Sequence, residues 1–361
     1  MRILHVTPRY YPDIGGVEEH VRNIVELLSK THDVHVFATD PSGKLPKQEV
    51  TNGVEITRFG SWAPNEAYFL SLSLRKRLKE VSGDFDIVHT HCYSAFPSLF
   101  AAQAKAENKL VFTPHYHGVG HTFFRSLLHK PYKFFGRQIF EKADRVICVS
   151  QVESDLVQRH FQGVKEKLSL IPNGVNYEEF RNLERSKGDS KTILFVGRLE
   201  KYKGVQHLLR VLPRFDKDVR LEIIGTGPYK PTLLELAKKL SITDRVEFLH
   251  DLSRQNLLQK YADADVFVLL SEHEAYGITV AEALCAGTPC VVATTSALVE
   301  WIDDVNCFGI DIPINLEKLK ALIDRAMNRR ATAGTVLDWT TIAGNVLNLY
   351  SALLGSVDSE H

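Results

Sequence analysis

The chain has 361 residues, 44% of them hydrophobic and 24% charged, and its 44 Lys and Arg side chains are balanced by 44 Asp and Glu side chains. A chain of this length is longer than one ordinary hydrophobic core supports, so two domains are expected. The balanced charge leaves no overall basic field, which argues against nucleic acid as a partner. Any affinity for anions must therefore come from local groups of cations.

The cysteines and the hydropathy pattern predict a protein of the cytoplasm. The cysteines are odd in number and form no C-x-x-C pair, which is typical of free thiols in a reducing compartment. They are Cys92, Cys148, Cys285, Cys290 and Cys307. The first residues lead directly into a predicted strand without the pattern of a signal peptide. No apolar stretch approaches the roughly 20 residues that span a bilayer, so any membrane attachment is expected to be peripheral.

The first half of the chain alternates short apolar runs with helical patterns, which is typical of βαβ units in a parallel sheet. A helix is predicted from residue 16 to residue 30, because apolar residues recur on one face of that stretch. The predicted strands cover residues 3–7, 34–39, 54–59, 87–91, 110–113, 146–150 and 168–171.

A polar and charged stretch at 177–191 predicts the linker to a second domain. Beyond it the same alternation resumes, with strands predicted at 193–196, 221–224, 246–249, 266–270, 290–292 and, more weakly, 308–311. A last helical pattern covers 339–354. These patterns divide the chain into an N-terminal domain (1–180), a C-terminal domain (181–338) and a C-terminal helix (339–361) that is expected to pack back on the N-terminal domain.

The segment 271–289, SEHEAYGITVAEALCAGTP, carries the strongest chemical pattern. It follows a buried strand, so Glu274 lies in a loop at the carboxyl end of that strand, where ligands of open α/β sheets bind. A helix is predicted to begin near Gly277, and its first N–H groups, at Gly277, Ile278 and Thr279, provide an anion site. Glu282 follows about one turn into this helix. The segment thus combines a phosphate site with two carboxylates suited to sugar or ribose hydroxyls.

Glu274 and Glu282 match the E-x7-E pattern, and the chain resembles the retaining glycosyltransferases of family four. Further blocks match in order: GGVEEHV, IPNGVNYEEF, VGRLEKYKG, IIGTGP and YADADVFVLL. The resemblance implies the GT-B fold, two Rossmann-like doubly wound parallel-sheet domains of class α/β that face each other across a cleft. It implies transfer of a hexose from a UDP- or GDP-sugar to a glycan, lipid-linked or small-molecule acceptor. The nucleotide sugar is then a substrate, and no cofactor is expected.

Gly197, Arg198 and Lys203 come directly after the first strand of the second half. Cations in such a loop neutralise charge that develops on a departing diphosphate without a metal ion. The resemblance implies this role for Arg198 and Lys203, a donor-sugar contact for Glu274 and a ribose contact for Glu282. Without the resemblance, the two cations are equally typical of an exposed basic loop.

In the first half, Gly15 and Gly16 precede a helix, and glycines there allow close approach of a ligand to the backbone. The resemblance implies that this loop faces the donor across the cleft. It also implies that His115 points towards the reacting sugar or the acceptor, where an imidazole polarises a hydroxyl. An ordinary tight turn is the alternative for the two glycines.

Histidines are concentrated after two strands of the first half, at His89, His91, His115, His117 and His121. A zinc site is conceivable, but no carboxylate or cysteine completes a recognisable ligand pattern. No metal is therefore expected. The Asp-x-Asp pairs at 84–86 and 263–265 precede strands, at the wrong end for this site, and are expected to be structural.

Basic and aromatic residues alternate over 121–142, and a second basic run covers 74–79. Such mixtures are typical of contact with an anionic membrane surface or a lipid-linked acceptor. They are equally typical of helices that bury phenylalanines and expose a solvated basic face. Peripheral membrane contact is therefore one of two open interpretations.

The sequence departs from the family pattern at two places. The stretch 294–300 lacks the glycine pair common before Glu300, and Ala275 replaces a frequent glycine.

Three other functions compete with glycosyl transfer. A dinucleotide-dependent dehydrogenase is disfavoured because Lys230 stands where the third glycine of the G-x-G-x-x-G motif is needed. A sugar-nucleotide epimerase on the same fold and a non-catalytic sugar-nucleotide-binding protein stay open.

Overall fold

A computed structural model describes residues 1–64, 67–118, 136–186, 190–332 and 336–355. The chain forms two compact units, each with its own parallel sheet. The first unit is Met1–Asn173 together with Trp339–His361, and the second is Gly174–Asp338. Within the described part of the chain, no helix has both the length and the apolar character that crossing a bilayer requires.

The first sheet has eight strands in the order β3-β4-β2-β1-β5-β6-β7-β8, parallel except for the antiparallel pair β3–β4. Its central strands β1 and β5 are buried except for Arg2 at the start of β1, as expected for a sheet covered on both faces. The strands are β1 (Arg2–Thr7), β2 (Asp33–Asp40), β3 (Gln48–Thr51), β4 (Val54–Gly60), β5 (Ile87–His91), β6 (Lys109–Thr113), β7 (Arg145–Cys148) and β8 (Leu168–Leu170).

The helices of the first unit cover the two faces of this sheet. They are α1 (Gly16–Leu28), α2 (Leu72–Val81), α3 (Phe96–Gln103), α4 (Gln151–His160) and, from the end of the chain, α10 (Trp339–Gly355). The last helix buries Trp339, Ile342, Val346 and Tyr350 in the same core as the apolar face of α1. The C-terminal helix therefore completes the core of the first unit.

The second sheet is wholly parallel, with strand order β12-β11-β10-β13-β14-β15. Its strands are β10 (Thr192–Val196), β11 (Arg220–Ile224), β12 (Val246–Leu249), β13 (Val266–Leu269), β14 (Cys290–Ala293) and β15 (Cys307–Ile310). Its helices are α5 (Val205–Val211), α6 (Lys230–Lys239), α7 (Arg254–Asp263), α8 (Ile278–Cys285) and α9 (Leu316–Met327). The weak strand predicted near residue 308 is thus confirmed as β15.

The boundary between the two units lies between Asn173 and Gly174, whereas the sequence predicts a linker at 177–191. Two short strands, β9 (Gly174–Val175) and β16 (Leu337–Asp338), pair in parallel within the second unit. Tyr177 bonds to Asp338, and Phe180 is buried in a small core of that unit. The boundary between the units therefore precedes the predicted linker, because a few apolar residues inside that polar sequence are anchored by packing in the second unit.

Candidate active site

The second unit brings the predicted donor-site loops together at one edge of its sheet. Strand β10 has β11 on one side and β13 on the other, so the connections leave its carboxyl edge in opposite directions there. Ligands of open α/β sheets bind at such a topological switch point. Gly197 and Arg198 follow β10, and Glu274 lies in the loop that follows β13.

Lys203 and Glu274 form a hydrogen-bonded ion pair, with 2.5 Å between Lys203 Nζ and Glu274 Oε1. Each side chain is 15% exposed, so both remain within reach of a small polar ligand. Burial by itself lowers the pKa of Lys203, but the negative charge of Glu274 outweighs it, and the pKa lies above its usual value. The Lys203 ammonium is therefore charged at every physiological pH.

Backbone contacts fix the two loops that carry this pair. The N–H of Glu272 donates to the carbonyl of Tyr202 at 2.9 Å. Gly204, at φ +80°, follows Lys203, and a Cβ there would lie 2.4 Å from the carbonyl oxygen of Leu270. Only glycine permits this approach, so the position of Lys203 depends on Gly204.

Arg198 lies on the more open side of the same edge, with 40% of its side chain exposed. Its Nε donates to Glu200 Oε1 at 3.1 Å. A Cβ on Gly225, at φ +141° in the neighbouring loop, would lie 2.0 Å from the Gly197 carbonyl oxygen. The loops after β10 and β11 therefore touch through their backbones, and they leave the Arg198 side chain at the surface.

Helix α8 begins next to Glu274, as the sequence predicts. Gly277 precedes it at φ +98°, and the helix starts with Ile278 and Thr279. The first N–H groups of an α-helix have no acceptor within the helix and carry a positive partial charge. The indole N–H of Trp301 donates to the Tyr276 carbonyl at 2.7 Å and holds the turn that leads into the helix.

The loop that departs from the family pattern supports Glu274 directly. The hydroxyl of Ser296 accepts from the N–H of Glu274 at 2.9 Å, and the N–H of Ala297 donates to the Glu274 carbonyl at 3.3 Å. Thr295 Oγ1 donates to the Ser271 carbonyl at 2.8 Å. Stretch 294–300 therefore holds the loop that carries Glu274 without the usual glycine pair, a role that the sequence did not reveal.

Glu282 is more deeply placed than the sequence suggested, with a side chain only 7% exposed. Its carboxylate accepts from Arg254 Nη1 at 2.5 Å and from the Tyr261 hydroxyl at 3.0 Å. Arg254 also bonds Glu179 through two nitrogens, at 2.9 and 2.7 Å. Burial lowers the Arg254 pKa, but its two carboxylate partners raise it above its usual value. A ribose contact for Glu282 therefore stays a prediction, and it would have to use the remaining lone pairs of this bridged carboxylate.

Sequence reasoning missed Arg254, Tyr261 and Glu179 as partners of Glu282. Arg254 begins helix α7, and Glu179 lies in the short helix Tyr177–Glu179. Tyr261 belongs to the same helix as Arg254. The sequence carries no local signal that joins these two residues to Glu179 or to Glu282, because both carboxylates come from other elements of the chain.

In the first unit, Gly15 caps α1 and Gly16 is its first residue. A Cβ on Gly15 would lie 2.4 Å from Glu18 Oε2, and Glu18 in turn bonds Arg9 at 2.9 Å. A side chain at position 15 would therefore displace the flexible end of Glu18 and disturb its bond to Arg9, while the extended backbone there (φ −175°) suits any residue. Whether this loop also approaches a donor stays a prediction.

His115, itself partly buried, lies beside a group of buried imidazoles that the sequence only partly anticipated. His89, His91 and His115 are present as expected, and the structure adds His5 from β1 and His20 from α1. Two triplets have ring nitrogens close enough to share an ion: His5, His89 and His91 form one, and His20, His91 and His115 form the other. His121 lies outside the described residues.

The Asp-x-Asp pairs have structural partners. Asp86 accepts from the backbone N–H of Arg2 at 2.7 Å, and the carbonyl of Asp84 accepts from the Arg2 guanidinium. Asp265 binds the backbone N–H of Thr192 at 2.7 Å and forms an ion pair with Arg185. These contacts tie chain segments at the strand starts, as predicted.

Comparison with known proteins covers almost the whole chain. The family model described as Glycosyltransferase Family 4 matches residues 14–179, and the model described as Glycosyl transferases group 1 matches residues 176–335.

The chain is 28% identical to an uncharacterized glycosyltransferase of Methanocaldococcus jannaschii, over 97% of this chain and 98% of that protein. It is 26% identical to the GDP-mannose:cellobiosyl-diphosphopolyprenol alpha-mannosyltransferase of Xanthomonas campestris, over 99% and 98%. Anabaena HepE, solved with UDP and glucose, is similar in structure, with a TM-score of 0.79, 18% identity and coverage of 98% and 100%.

Proposed function

Since the chain belongs to the family-four glycosyltransferases, which have the GT-B fold, we propose that it transfers a hexose from a nucleotide diphosphate sugar to an acceptor hydroxyl with retention of configuration. The observation that carries this proposal is the Lys203–Glu274 pair beside the start of α8. At the switch point of the second sheet, this pair places a fixed cation and a carboxylate beside the first backbone N–H groups of α8, which have no acceptor within the helix.

In this proposal the second unit binds the donor and stabilises the leaving diphosphate. Lys203 and Arg198 supply positive charge, and the N–H groups of Gly277, Ile278 and Thr279 donate to phosphate oxygens. Gly197 lets the backbone approach the donor. Fixed donors of this kind stabilise developing charge without reorganisation, so transfer requires no Mg²⁺ or Mn²⁺, and addition of either ion should leave kcat unchanged.

Glu274 would accept hydrogen bonds from hydroxyls of the donor sugar, and Glu282 from those of the ribose. The ion pair with Lys203 orients the Glu274 carboxylate, which is what a hydrogen-bond acceptor for hydroxyls requires. In the first unit, the loop at Gly15 and Gly16 would approach the donor, and His115 would contact the reacting sugar or the acceptor.

The relatives support a UDP- or GDP-sugar as donor and a lipid-linked glycan as one acceptor class. The Xanthomonas relative is named for GDP-mannose and a diphosphopolyprenol acceptor, and HepE was solved with UDP. A lipid-linked acceptor would suit a peripheral membrane contact through α2. That helix buries Leu74 and Leu78 and exposes Arg75, Lys76, Arg77 and Lys79. Of the other proposed membrane segment, 121–142, only 136–142 is described.

The test begins with thermal unfolding in the presence of uridine, guanosine and adenosine diphosphate sugars. A ligand at a hundred times its dissociation constant stabilises the protein by about 2.7 kcal/mol. The stabilising sugar nucleotide is then incubated with and without acceptors, and nucleoside diphosphate release is measured. Product from the donor alone by epimerisation would identify an epimerase, and binding without any turnover would identify a binding protein.

The matched variants are Lys203→Ala and Lys201→Ala, which remove two lysines of the same short helix. Lys201 is exposed, whereas Lys203 reaches Glu274. Loss of one fixed donor to a developing charge costs about 100- to 1,000-fold in kcat. We expect that loss for Lys203→Ala and a rate within about twofold of the parent for Lys201→Ala. Equal rates for the two variants would overturn the proposed mechanism.

Vesicle flotation tests the membrane contact separately. Binding to anionic vesicles at low salt, weakened in a Lys76→Glu, Lys79→Glu variant, is the expected result. Absence of binding at low salt would remove this part of the proposal and leave the transfer reaction untouched.

A further inference from the structure

Five imidazoles lie together near the carboxyl edge of the first sheet, four of them buried and that of His115 partly buried. His5 lies in β1, His89 and His91 in β5, His115 after β6 and His20 in α1. Strand β1 lies between β2 and β5, so this edge is the switch point of the first sheet, the counterpart of the donor-site edge in the second. A cluster of buried neutral polar rings is costly unless each nitrogen has a partner.

One side of the cluster is satisfied by hydrogen bonds. His89 is bonded at both nitrogens, to the Tyr350 hydroxyl at 2.6 Å and to Thr113 Oγ1 at 2.7 Å. His5 Nδ1 and His91 Nε2 share a hydrogen bond of 3.0 Å. His5 Nε2 also lies 3.4 Å from the Tyr350 hydroxyl, so both nitrogens of His5 and His89, and Nε2 of His91, have partners.

The other side is not satisfied by the described residues. His20 Nε2, His91 Nδ1 and His115 Nε2 are buried atoms that have no hydrogen-bond partner in the described part of the chain. His20 and His91 are 1% and 0% exposed. One ring nitrogen from each of these three histidines lies within 4.8 Å of those from the other two. Three rings, each with one orphaned nitrogen, thus meet around one small volume.

The hydrogen bond of His20 identifies which of its nitrogens carries a lone pair. Its Nδ1 lies 2.6 Å from the side-chain oxygen of Asn173, an atom that only accepts, so Nδ1 donates and Nε2 is left basic. A donor bond from the second ring nitrogen is the usual support of a metal-bound histidine. Burial lowers the pKa of His20 to about 4 and those of His91 and His115 well below their usual value. All three rings are therefore neutral, the form that binds metals, at neutral pH.

We propose that His20, His91 and His115 form a binding site for one divalent transition-metal ion, with Zn²⁺ the ion that fits these ligands best. Imidazole nitrogens suit Zn²⁺, and three histidines with a water in the fourth position are an accepted zinc arrangement. Zn–N bonds of about 2.0–2.1 Å require the three nitrogens to approach to about 3.4 Å. The proposal is argued from the histidines alone and not from the transfer reaction, and the ion would fix the position of His115, which we expect to face the acceptor.

The experiment titrates the metal-stripped full chain with Co²⁺, whose visible absorption reports tetrahedral coordination, and then displaces it with Zn²⁺. We expect one equivalent of Co²⁺ with tetrahedral bands, lost on addition of Zn²⁺, and a thermal midpoint raised by Zn²⁺. A single buried water that bridges the nitrogens is the competing explanation. Absence of the tetrahedral bands, or of a Zn²⁺ effect on the thermal midpoint, would favour it and overturn the proposal.

Three variants locate the site. His20→Gln should abolish the bands, and Asn173→Ala, which keeps all three ligands, should weaken Zn²⁺ binding by about 10- to 100-fold. The control is His35→Gln, because His35 with Asp33 and Glu55 forms a partly exposed group that is also able to hold an ion. Bands that persist in His20→Gln and disappear in His35→Gln would overturn the proposal. If His20→Gln fails to fold by circular dichroism, the Asn173→Ala affinity decides, and unchanged affinity there rejects the site.

Discussion

Lys203 and Glu274 are 71 positions apart in the chain, and their side chains form an ion pair of 2.5 Å at the carboxyl edge of the second sheet. The pair is formed because β10 and β13 are neighbours in the sheet, so the loops that follow them leave the same edge side by side. One loop supplies the cation and the other supplies the carboxylate. Their proximity is what gives the proposed donor site both its charge and its fixed geometry.

A double-mutant cycle on Lys203 and Glu274 should show strong coupling in stability. Removal of either partner alone leaves a largely buried charge uncompensated and should lower the free energy of unfolding by about 3 kcal/mol. The double variant Lys203→Ala, Glu274→Ala should lose less than the sum of the two single changes. Urea unfolding of the four proteins measures this, and additive losses would show that the pair contributes no coupling.

Arg254→Lys should weaken donor binding through Glu282 rather than by direct contact. The guanidinium bridges Glu179 and Glu282, and a lysine ammonium cannot hold both carboxylates in the same geometry. We expect about a tenfold increase in the KM for the donor, equivalent to about 1.4 kcal/mol. Arg210→Lys, an exposed change at the end of α5, is the control and should leave KM unchanged. An unaltered KM in Arg254→Lys would show that the contacts of Arg254 with Glu179 and Glu282 do not contribute to donor binding.

The buried histidines predict an unusually early loss of stability on acidification of the metal-stripped protein. Burial lowers the pKa of His5 from 6.5 to about 3 and that of His20 to about 4. Between pH 6.5 and 4 the unfolded chain therefore binds more protons than the folded chain, so stability decreases as the pH falls. Each such group contributes up to about 1.4 kcal/mol per pH unit. Urea midpoints measured from pH 7 to pH 4.5 should fall steadily.

The acid effect has its own control. His20→Gln removes one buried imidazole, so its stability should depend less steeply on pH than that of the parent protein. Urea midpoints that stay constant down to pH 4.5 in the parent protein would show that folding does not lower the pKa of these histidines.

Tyr350→Phe should destabilise the first unit although it removes a single oxygen atom. The hydroxyl is fully buried and bonds His89 Nδ1 at 2.6 Å, and its loss leaves that nitrogen without its partner. The expected cost is about 1–3 kcal/mol. Tyr11→Phe, whose side chain is exposed, is the control and should be neutral within about 0.5 kcal/mol. Equal thermal midpoints for the two variants would contradict this role of the C-terminal helix.

Most strands and the main helices could be predicted because their signals are local. Val266–Leu269 is an uninterrupted apolar run, and α1 repeats apolar residues at helical spacing. The strand Gln48–Thr51 was missed because its four residues are mainly polar and half of them are exposed. The two-residue strands β9 and β16 were missed because neither is long enough to carry a pattern, and only their pairing defines them.

The sequence by itself determined the two parallel sheets, the family, and the placement of Arg198, Lys203 and Glu274 in loops at strand ends, since each follows from short-range patterns and ordered motifs. Only the tertiary structure decided which groups meet: Lys203 with Glu274, Glu282 with Arg254, and His20 with His91 and His115. The physical reason is that strand order within a sheet, and the burial that results from it, are properties of the packed chain. Spacing along the sequence does not encode the distance between two loops or the solvent exposure of a carboxylate.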